Sequence, residues 1–380
     1  MIPDLSTTPI NRKLFGIAFL FLLLAAFLSG CATQTGCNYL SDNPIFFPPA
    51  PDEPHIQYLT GINSSDDIGP EKKKSGMSLL LTGNEKTEVI KKLGKAYGIT
   101  AYKGKLYVAE GMNGRISIVD PVKGTIESPK GLEIPKGALK YPVNSALDDE
   151  GNLYVADTAR REIVVYDPAG NYLNAFSGNF APKSKIVDVG ISNGKLFALD
   201  FGTGRIRVLD RKTGIQAAEF GFIEKEGQSL RLPGNFGFDP AGNIYVTNLG
   251  SNMVLKYDQD GNFLGSFGGA GDIIGNFAKP KGVTVGAGGL IYVADGGTNV
   301  VQVFNDKFRP LTYFGWPGLP KGSLNGPAGI AVSADNLEYF QKYAAPGFKL
   351  EGVIYVVSQF GQEFCIPRIS VYGIGLMQKK

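Results

Sequence analysis

The chain has 380 residues, with 38 Lys and Arg, 35 Asp and Glu, one His and three Cys. A formal net charge of +3, without any Lys- or Arg-rich arm, excludes the charge pattern typical of nucleic-acid-binding proteins. One His excludes multi-histidine metal sites, and the absence of a C-x-x-C pair excludes zinc ribbons.

The first 30 residues have the features of a signal peptide. Arg12 and Lys13 precede an apolar run from Leu14 to Leu28, which at 15 residues is short for a membrane-spanning helix. The run ends in Leu28-Ser29-Gly30-Cys31, which resembles the lipobox of bacterial lipoproteins. This resemblance implies cleavage before Cys31, a lipid on its thiol, and attachment of the protein to a membrane.

The residue after the cysteine bears on the location. Ala32 stands where retention in the inner membrane usually requires Asp, so the resemblance implies an outer-membrane lipoprotein that faces the periplasm or the cell surface. An ordinary secretory signal with an incidental cysteine is the alternative.

Residues 31–54 are predicted to be the lipidated cysteine and a tether. The stretch from Phe46 to Pro54 is rich in proline, which favours extended, polyproline-like backbone over a packed element. Residues 55–62 then alternate as a β-strand does. Residues 63–95 are predicted to be a linker that crosses one face of the domain, or that contains a short helix within Thr82 to Leu93.

Six copies of one strand pair account for most of the remaining chain. A strand with an apolar–aromatic–apolar pattern recurs, with its aromatic residue at Tyr107, Tyr154, Phe197, Tyr245, Tyr292 and Tyr355. In the first five copies, the first apolar residue of a second strand follows nine residues later. The first five aromatic residues are 47, 43, 48 and 47 residues apart, which indicates one repeated structural unit.

Further strands complete each unit. A third strand precedes each pair across turns such as Gly151-Asn152 and Gly242-Asn243, and a fourth follows most pairs, as at residues 172–176. Four short antiparallel strands at this period predict an all-β, six-bladed β-propeller over residues 96–374, with residues 375–380 as a tail. The repeated pattern, for example Leu153-Tyr154-Val155-Ala156-Asp157, resembles the NHL repeat.

The sixth unit lacks a fourth strand, because the chain ends soon after third-strand sequence at residues 368–374. Residues 55–62 form a strand without a unit of its own. We predict that they pair beside residues 368–374 as the outer strand of the last blade. Such a closure would join the ends of the ring and protect an exposed sheet edge.

Side chains at the start of the inner strands are predicted to converge at the mouth of the axial channel, where a propeller concentrates binding residues. The candidates are Tyr97, Asn144, Asp188, Asn235 and Lys281. Asn144, Asp188 and Asn235 replace glycine in three neighbouring blades, and oxygen ligands so placed suit Ca²⁺. Resemblance to calcium-dependent lactonase propellers implies such an ion. A water-filled polar channel without any cofactor is the alternative.

A polar residue ends the second strand of every copy. These residues are Glu110, Asp157, Asp200, Asn248, Asp295 and Ser358. We predict a structural role for them, in which the side chain accepts hydrogen bonds from backbone N–H groups of a turn.

Two insertions distinguish the sixth unit. Residues 335–349 carry Tyr339, Phe340, Tyr343 and Phe348, in part on a short helix, and are predicted to form a contact patch for a partner. The second insertion contains Cys365, for which a disulfide with Cys37 is one hypothesis.

The Pro-rich lead-in, the strand His55-Ile56-Gln57-Tyr58-Leu59 and the basic linker are similar to those of NHL lipoproteins from bacteria rich in multihaem cytochromes. This resemblance implies a lipid-anchored binding or scaffold module for an envelope protein complex, with cytochromes among its partners, rather than an enzyme. One alternative is a calcium-dependent hydrolase of lactones or esters. Another is a passive carrier of sugars or peptides.

Overall fold

The computed structural model describes residues 43–70, 90–177, 180, 182–222, 225, 227–361 and 366–378. Cys31, Cys37, Cys365 and the signal peptide lie outside these residues, as does most of the predicted helix within Thr82 to Leu93. In the described part of the chain, no helix combines the length and apolar character that crossing a membrane requires.

Six antiparallel sheets form the blades of the predicted β-propeller. Two N-terminal strands, β1 (Phe46–Phe47) and β2 (Ile56–Ile62), precede the first complete blade. Blade 1 contains β3 (Ile99–Tyr102), β4 (Lys105–Glu110), β5 (Arg115–Asp120) and β6 (Thr125–Glu127). Blade 2 contains β7 (Pro142–Leu147), β8 (Leu153–Asp157), β9 (Glu162–Tyr166) and β10 (Tyr172–Phe176). Blade 3 contains β11 (Ile186–Ser192), β12 (Lys195–Asp200), β13 (Arg205–Leu209) and β14 (Gln216–Phe220).

The remaining blades follow the same plan. Blade 4 contains β15 (Pro233–Phe238), β16 (Ile244–Asn248), β17 (Met253–Tyr257) and β18 (Phe263–Gly268). Blade 5 contains β19 (Pro280–Val285), β20 (Ile291–Asp295), β21 (Val300–Phe304) and β22 (Pro310–Phe314). Blade 6 contains β23 (Pro327–Ser333), β24 (Phe348–Ser358) and β25 (Ile369–Met377). Short 3-10 turns lie at Ser65–Asp67, Gly111–Asn113, Lys130–Glu133 and Ala287–Gly289.

The hydrophobic core lies between neighbouring blades. Phe197 and Leu199 of blade 3, for example, cluster with Phe236 and Ile244 of blade 4. Because side chains alternate along a strand, each blade buries one set against each neighbour. The innermost strands of neighbouring blades contact one another all the way round and surround the axis.

The predicted closure of the ring is confirmed. Strand β2 pairs antiparallel with β25, with Tyr58 opposite Tyr372 and Ile62 opposite Ile369. All seven residues of β2 are buried. The last blade therefore takes its outer strand from the start of the domain.

The tether predicted for residues 31–54 needs a correction at its C-terminal end. Phe46 and Phe47 form β1, opposite Gln57 and Ile56, and give the sixth sheet a fifth strand. Phe47 is fully buried, and its ring centroid lies 5.0 Å from that of Trp316. Burial of the Phe47 ring and partial burial of Phe46 outweigh the extended tendency of the Pro-rich chain that follows them.

The contact patch predicted in the blade-6 insertion also needs a correction. Phe340, on helix α1 (Leu337–Gln341), and Phe348 are fully buried. The ring centroid of Phe340 lies 5.8 Å from that of Tyr355. Tyr339 and Tyr343 are half-buried, and the Tyr339 hydroxyl accepts a hydrogen bond from the Gly69 N–H at 2.9 Å. The insertion is thus packed into the domain, since Phe340 contacts Tyr355 of β24 and Phe348, the first residue of β24, contacts Phe46 of β1.

Candidate functional site

The inner strands begin on one side of the ring, which we call the mouth face, and end on the other, the far face. From the level of Asn144, Asp188 and Asn235 toward the far face runs a channel of about 260 Å³. Its lining combines apolar side chains, such as Ile99, Val189 and Ile330, with polar ones, such as Thr100, Ser145 and Thr284. Both polar and apolar groups therefore face the channel.

The polar residues that end the second strands have the predicted structural role. Asp295 accepts hydrogen bonds from the backbone N–H groups of Ala278 and Lys279 at 2.9 and 2.7 Å. Asp157 binds the N–H groups of Lys140 and Tyr141 in the same way. In all six blades, the bonded N–H belongs to the segment leading into the inner strand of that blade. These hydrogen bonds therefore fix the backbone of the connections that form the mouth face.

Asp188 holds three neighbouring blades together. One carboxylate oxygen accepts from Asn144 Nδ2 at 2.7 Å and from its own neighbour, the Val189 N–H, at 2.8 Å. The other accepts from Asn235 Nδ2 at 2.6 Å and from the Phe236 N–H at 2.9 Å. The carboxylate is 1% exposed, and burial raises its pKa to about 7 against the effect of these hydrogen bonds.

Glycine and the Asn–Asp–Asn trio are alternative ways of joining adjacent inner strands. At Gly329 in blade 6, the N–H bonds directly to the Tyr97 carbonyl at 2.8 Å, and a β-carbon would approach that oxygen to 2.6 Å. At Gly282 in blade 5, a β-carbon would lie 2.0 Å from the Ala328 carbonyl oxygen. Blades 2 to 4 are joined instead by the side chains of the trio.

The trio does not fit the calcium site that the sequence suggested. Because a carboxylate can only accept hydrogen bonds, both asparagines turn their NH₂ groups toward Asp188. Asn235 Oδ1 already accepts from the Val283 N–H at 2.7 Å, which leaves Asn144 Oδ1 as the only oxygen of the trio without a hydrogen bond. Ca²⁺ requires six to eight oxygen ligands. Nor do the described residues contain any cluster of three or more His, Cys, Asp or Glu suited to a metal.

The two remaining candidates lie at the mouth itself. Lys281 is 9% exposed, and its ammonium donates a hydrogen bond to Gln359 Oε1 at 2.6 Å. Burial, together with the charges of Lys279 and Lys95, lowers the pKa of Lys281 to about 8. Tyr97 is half-buried, and burial followed by the charge of Asp188 raises its pKa. The structure therefore separates the five candidates into a structural trio and two mouth residues.

Charge is distributed unevenly between the two faces, a feature that the sequence reasoning missed. Among the described residues, the connections of the mouth face carry 15 Lys and Arg against four Asp and Glu. Those of the far face carry seven Lys and Arg against 13 Asp and Glu. The described mouth-face connections are residues 63–67, 90–98, 111–114, 128–141, 158–161, 177, 180, 182–185, 201–204, 221–222, 225, 227–232, 249–252, 269–279, 296–299, 315–326, 359–361 and 366–368. The described far-face connections are residues 48–55, 103–104, 121–124, 148–152, 167–171, 193–194, 210–215, 239–243, 258–262, 286–290, 305–309 and 334–347.

Exposed apolar side chains follow the same asymmetry. Of the 16 large apolar side chains exposed among the described residues, nine lie on mouth-face connections and two on far-face connections. The nine are Ile90, Met112, Ile134, Tyr141, Phe222, Leu232, Ile273, Ile274 and Phe360. Assigning each connection to a face from the strand order alone would have revealed both asymmetries.

A family comparison matches part of blade 5. Residues 277–304 match the NHL repeat. This stretch covers β20, β21 and the preceding inner strand, which includes Lys281. A search of curated proteins finds no match.

Solved structures resemble the chain in fold. A protein of unknown function from Bacteroides thetaiotaomicron is 16% identical, with a TM-score of 0.54 over 84% of this chain and 76% of that one. Regucalcin from Agrobacterium tumefaciens, described as calcium-binding, is 13% identical, with a TM-score of 0.51 over 75% and 91%. An inactive virginiamycin B lyase from Staphylococcus aureus, solved with quinupristin, is 15% identical, with a TM-score of 0.50 over 74% and 95%. At these identities the similarity establishes the propeller fold alone.

Proposed function

We propose that this protein is a lipid-anchored envelope propeller that binds an acidic protein partner on its mouth face, and so serves as a scaffold in an envelope complex. The observation that carries the proposal is the excess of 11 positive charges among the described residues of the mouth-face connections, set against an excess of six negative charges on those of the far face. Charge complementarity of this kind steers association and selects among partners.

Exposed apolar side chains support a protein partner over a small ion. Ile273 and Phe222 are 67% and 62% exposed, and both lie on the mouth face, whose connections together carry an excess of Lys and Arg. Protein interfaces combine an apolar centre with a charged rim. The mouth face offers both components on a rigid ring.

The anchor and the location are part of the same proposal and rest on the sequence. The lipobox-like stretch ending at Cys31 would attach the chain to the outer membrane, at a distance of 12 residues from the first described residue, Asn43. Multihaem cytochromes are the first partners to test, because the sequence resembles lipoproteins of bacteria rich in them.

Charge reversal on matched faces tests the proposal. The mouth-face variant Lys136→Glu/Lys185→Glu/Lys279→Glu changes three exposed lysines, and the far-face control Lys123→Glu/Lys212→Glu/Lys307→Glu changes the net charge equally. Each full-length protein is crosslinked in its native envelope, and the captured partner is quantified by mass spectrometry. We expect capture by the mouth-face variant to fall about tenfold or more, and capture by the control to stay near wild type. Equal losses, or no loss on the mouth face, would overturn the proposal.

A further inference from the structure

Lys281 is a buried cation whose hydrogen-bond partner among the described residues is neutral. Lys281 stands at the start of β19, the inner strand of blade 5. The equivalent positions in the other blades are Tyr97, Val143, Val187, Gly234 and Ala328. Among the described residues, no carboxylate lies within ion-pair distance of its ammonium, which donates one hydrogen bond, to Gln359 Oε1. Two of its three N–H donors are therefore left for another acceptor.

The described acid whose charge acts on Lys281 already accepts hydrogen bonds from backbone N–H groups. Asp295, on β20 of the same blade, raises the pKa of Lys281, but its oxygens accept from the N–H groups of Ala278, Lys279 and Gly297. The other charged groups that act on Lys281 are the lysines Lys279 and Lys95, which repel its charge. A buried charge that is repelled by its neighbours favours a counter-ion from outside.

Gln359 makes this site suited to a carboxylate. Its Oε1 faces Lys281, so its Nε2 group presents two further donors, for which the described residues provide no acceptor. An ammonium beside an amide NH₂ matches the two oxygens of a carboxylate. A phosphate, with more charge, is usually held by arginine forks or by several backbone N–H groups.

We propose that Lys281 and Gln359 form an anchoring site for a carboxylate of the acidic partner, inserted at the mouth of the axial channel. This inference rests on the proposed function, because the basic mouth face is what would bring an acidic segment to the axis. The carboxylate gives the Lys281 ammonium the counter-ion that the described residues do not provide.

The site is tested on the full-length protein with lysine labelled at Cε for NMR. The probes are the peptide acetyl-Gly-Asp-Gly-amide, sodium acetate, inorganic phosphate and, as a control, acetyl-Gly-Asn-Gly-amide. We expect the aspartyl peptide to give a saturable shift of the Lys281 signal at pH 7, an affinity at least tenfold above that of the asparaginyl peptide, and loss of binding above about pH 9. Acetate binding as tightly as the peptide would identify a small free acid as the ligand source and overturn the assignment to a protein segment. Phosphate binding more tightly than either would overturn the carboxylate assignment.

Two variants separate recognition from folding. Lys281→Met keeps an unbranched side chain of similar size without the ammonium. We expect it to abolish the shifts that the aspartyl peptide causes in the signals of Lys279 and Lys95, with an unchanged spectrum elsewhere. Gln359→Glu places a carboxylate on Lys281 within the chain, and we expect it to raise the pKa of Lys281 and to block the peptide. Binding that survives in Gln359→Glu would contradict the proposal.

Partner capture distinguishes this inference from the proposed function. If Lys281→Met captures the partner as well as wild type while the mouth-face triple variant does not, the carboxylate site at Lys281 is excluded and the mouth-face proposal is retained. If neither change affects capture, both fail.

Discussion

Asp188 shows how one buried carboxylate can order the centre of a propeller. It accepts four hydrogen bonds, two of them from the asparagine side chains of the neighbouring blades on either side. Hydrogen bonds to a charged group contribute about 1.5–3 kcal/mol each, while burial opposes the charge. The residue is therefore better understood as a joint between blades than as a metal ligand.

The first prediction concerns the pH dependence of this joint. Because the pKa of Asp188 is raised to about 7, its contribution to stability is fully present below the unfolded-state value near 4 and is lost as the pH rises through 7. The free energy of unfolding of wild type minus that of Asp188→Asn should thus decrease from pH 4 to pH 8. Urea unfolding at each pH measures the difference.

Asp167→Asn provides the matched control. Asp167 lies on a far-face turn, where hydrogen bonds from Asn171 lower its pKa. Its contribution is present above the unfolded-state value and is lost as the pH falls, so the difference should change in the opposite direction. A pH-independent difference for Asp188→Asn would show that its carboxyl does not titrate differently in the folded state.

At the scale of single residues, sequence reasoning located the mouth positions but not their roles. Asn144, Asp188 and Asn235 were recognisable because they replace glycine in register. Their hydrogen-bond directions were not, since an Asn can present either its oxygen or its nitrogen and only the neighbouring donors decide which. Lys281 gave no signal beyond its position, because its burial and the lack of a counter-ion among the described residues depend on the assembled ring.

Among the elements, β1 is packed into the domain although its sequence does not predict a strand. Phe47 is fully buried, with its ring centroid 5.9 Å from Phe314 and 6.2 Å from Tyr372. Two residues are too few for a strand pattern, and the prolines that follow favour an extended chain. The strand forms because the gap between blades 5 and 6 accepts an aromatic ring.

The second prediction tests whether β1 belongs to the folded domain. Phe47→Ala should lower the free energy of unfolding by about 3–5 kcal/mol, as expected for removal of a buried phenylalanine. Phe222→Ala, at a side chain that is 62% exposed, should change it by less than about 0.5 kcal/mol. Guanidinium unfolding compares the two variants, and similar small effects would mean that Phe47 is not packed.

The blade-6 insertion illustrates the limit of reading function from aromatic content. Four aromatic residues within residues 335–349 are compatible with a surface patch or with a small core. Helix α1 spans only five residues, Leu337–Gln341, so it has no clear apolar face to distinguish the two. The structure buries both phenylalanines and leaves the two tyrosines partly exposed.

For the molecule as a whole, the repeat period and the spare strand were sufficient to predict the ring and its closure. Both depend on local sequence patterns that recur, and the pairing of β2 with β25 follows from counting strands. The charge asymmetry emerges only when every second connection is assigned to the same face. A near-neutral chain can therefore carry a strongly basic surface, which net charge alone conceals.

The mouth face is the centre of this account, and zero-length crosslinking tests it most directly. A carbodiimide joins a lysine amine to a carboxylate in contact with it, so crosslinks formed in native envelopes identify which lysines meet an acidic partner. We predict crosslinks from mouth-face lysines such as Lys136, Lys185 and Lys279 to Asp or Glu of another protein. Crosslinks concentrated on the far-face lysines Lys123, Lys212 and Lys307, or confined to this chain, would contradict the account.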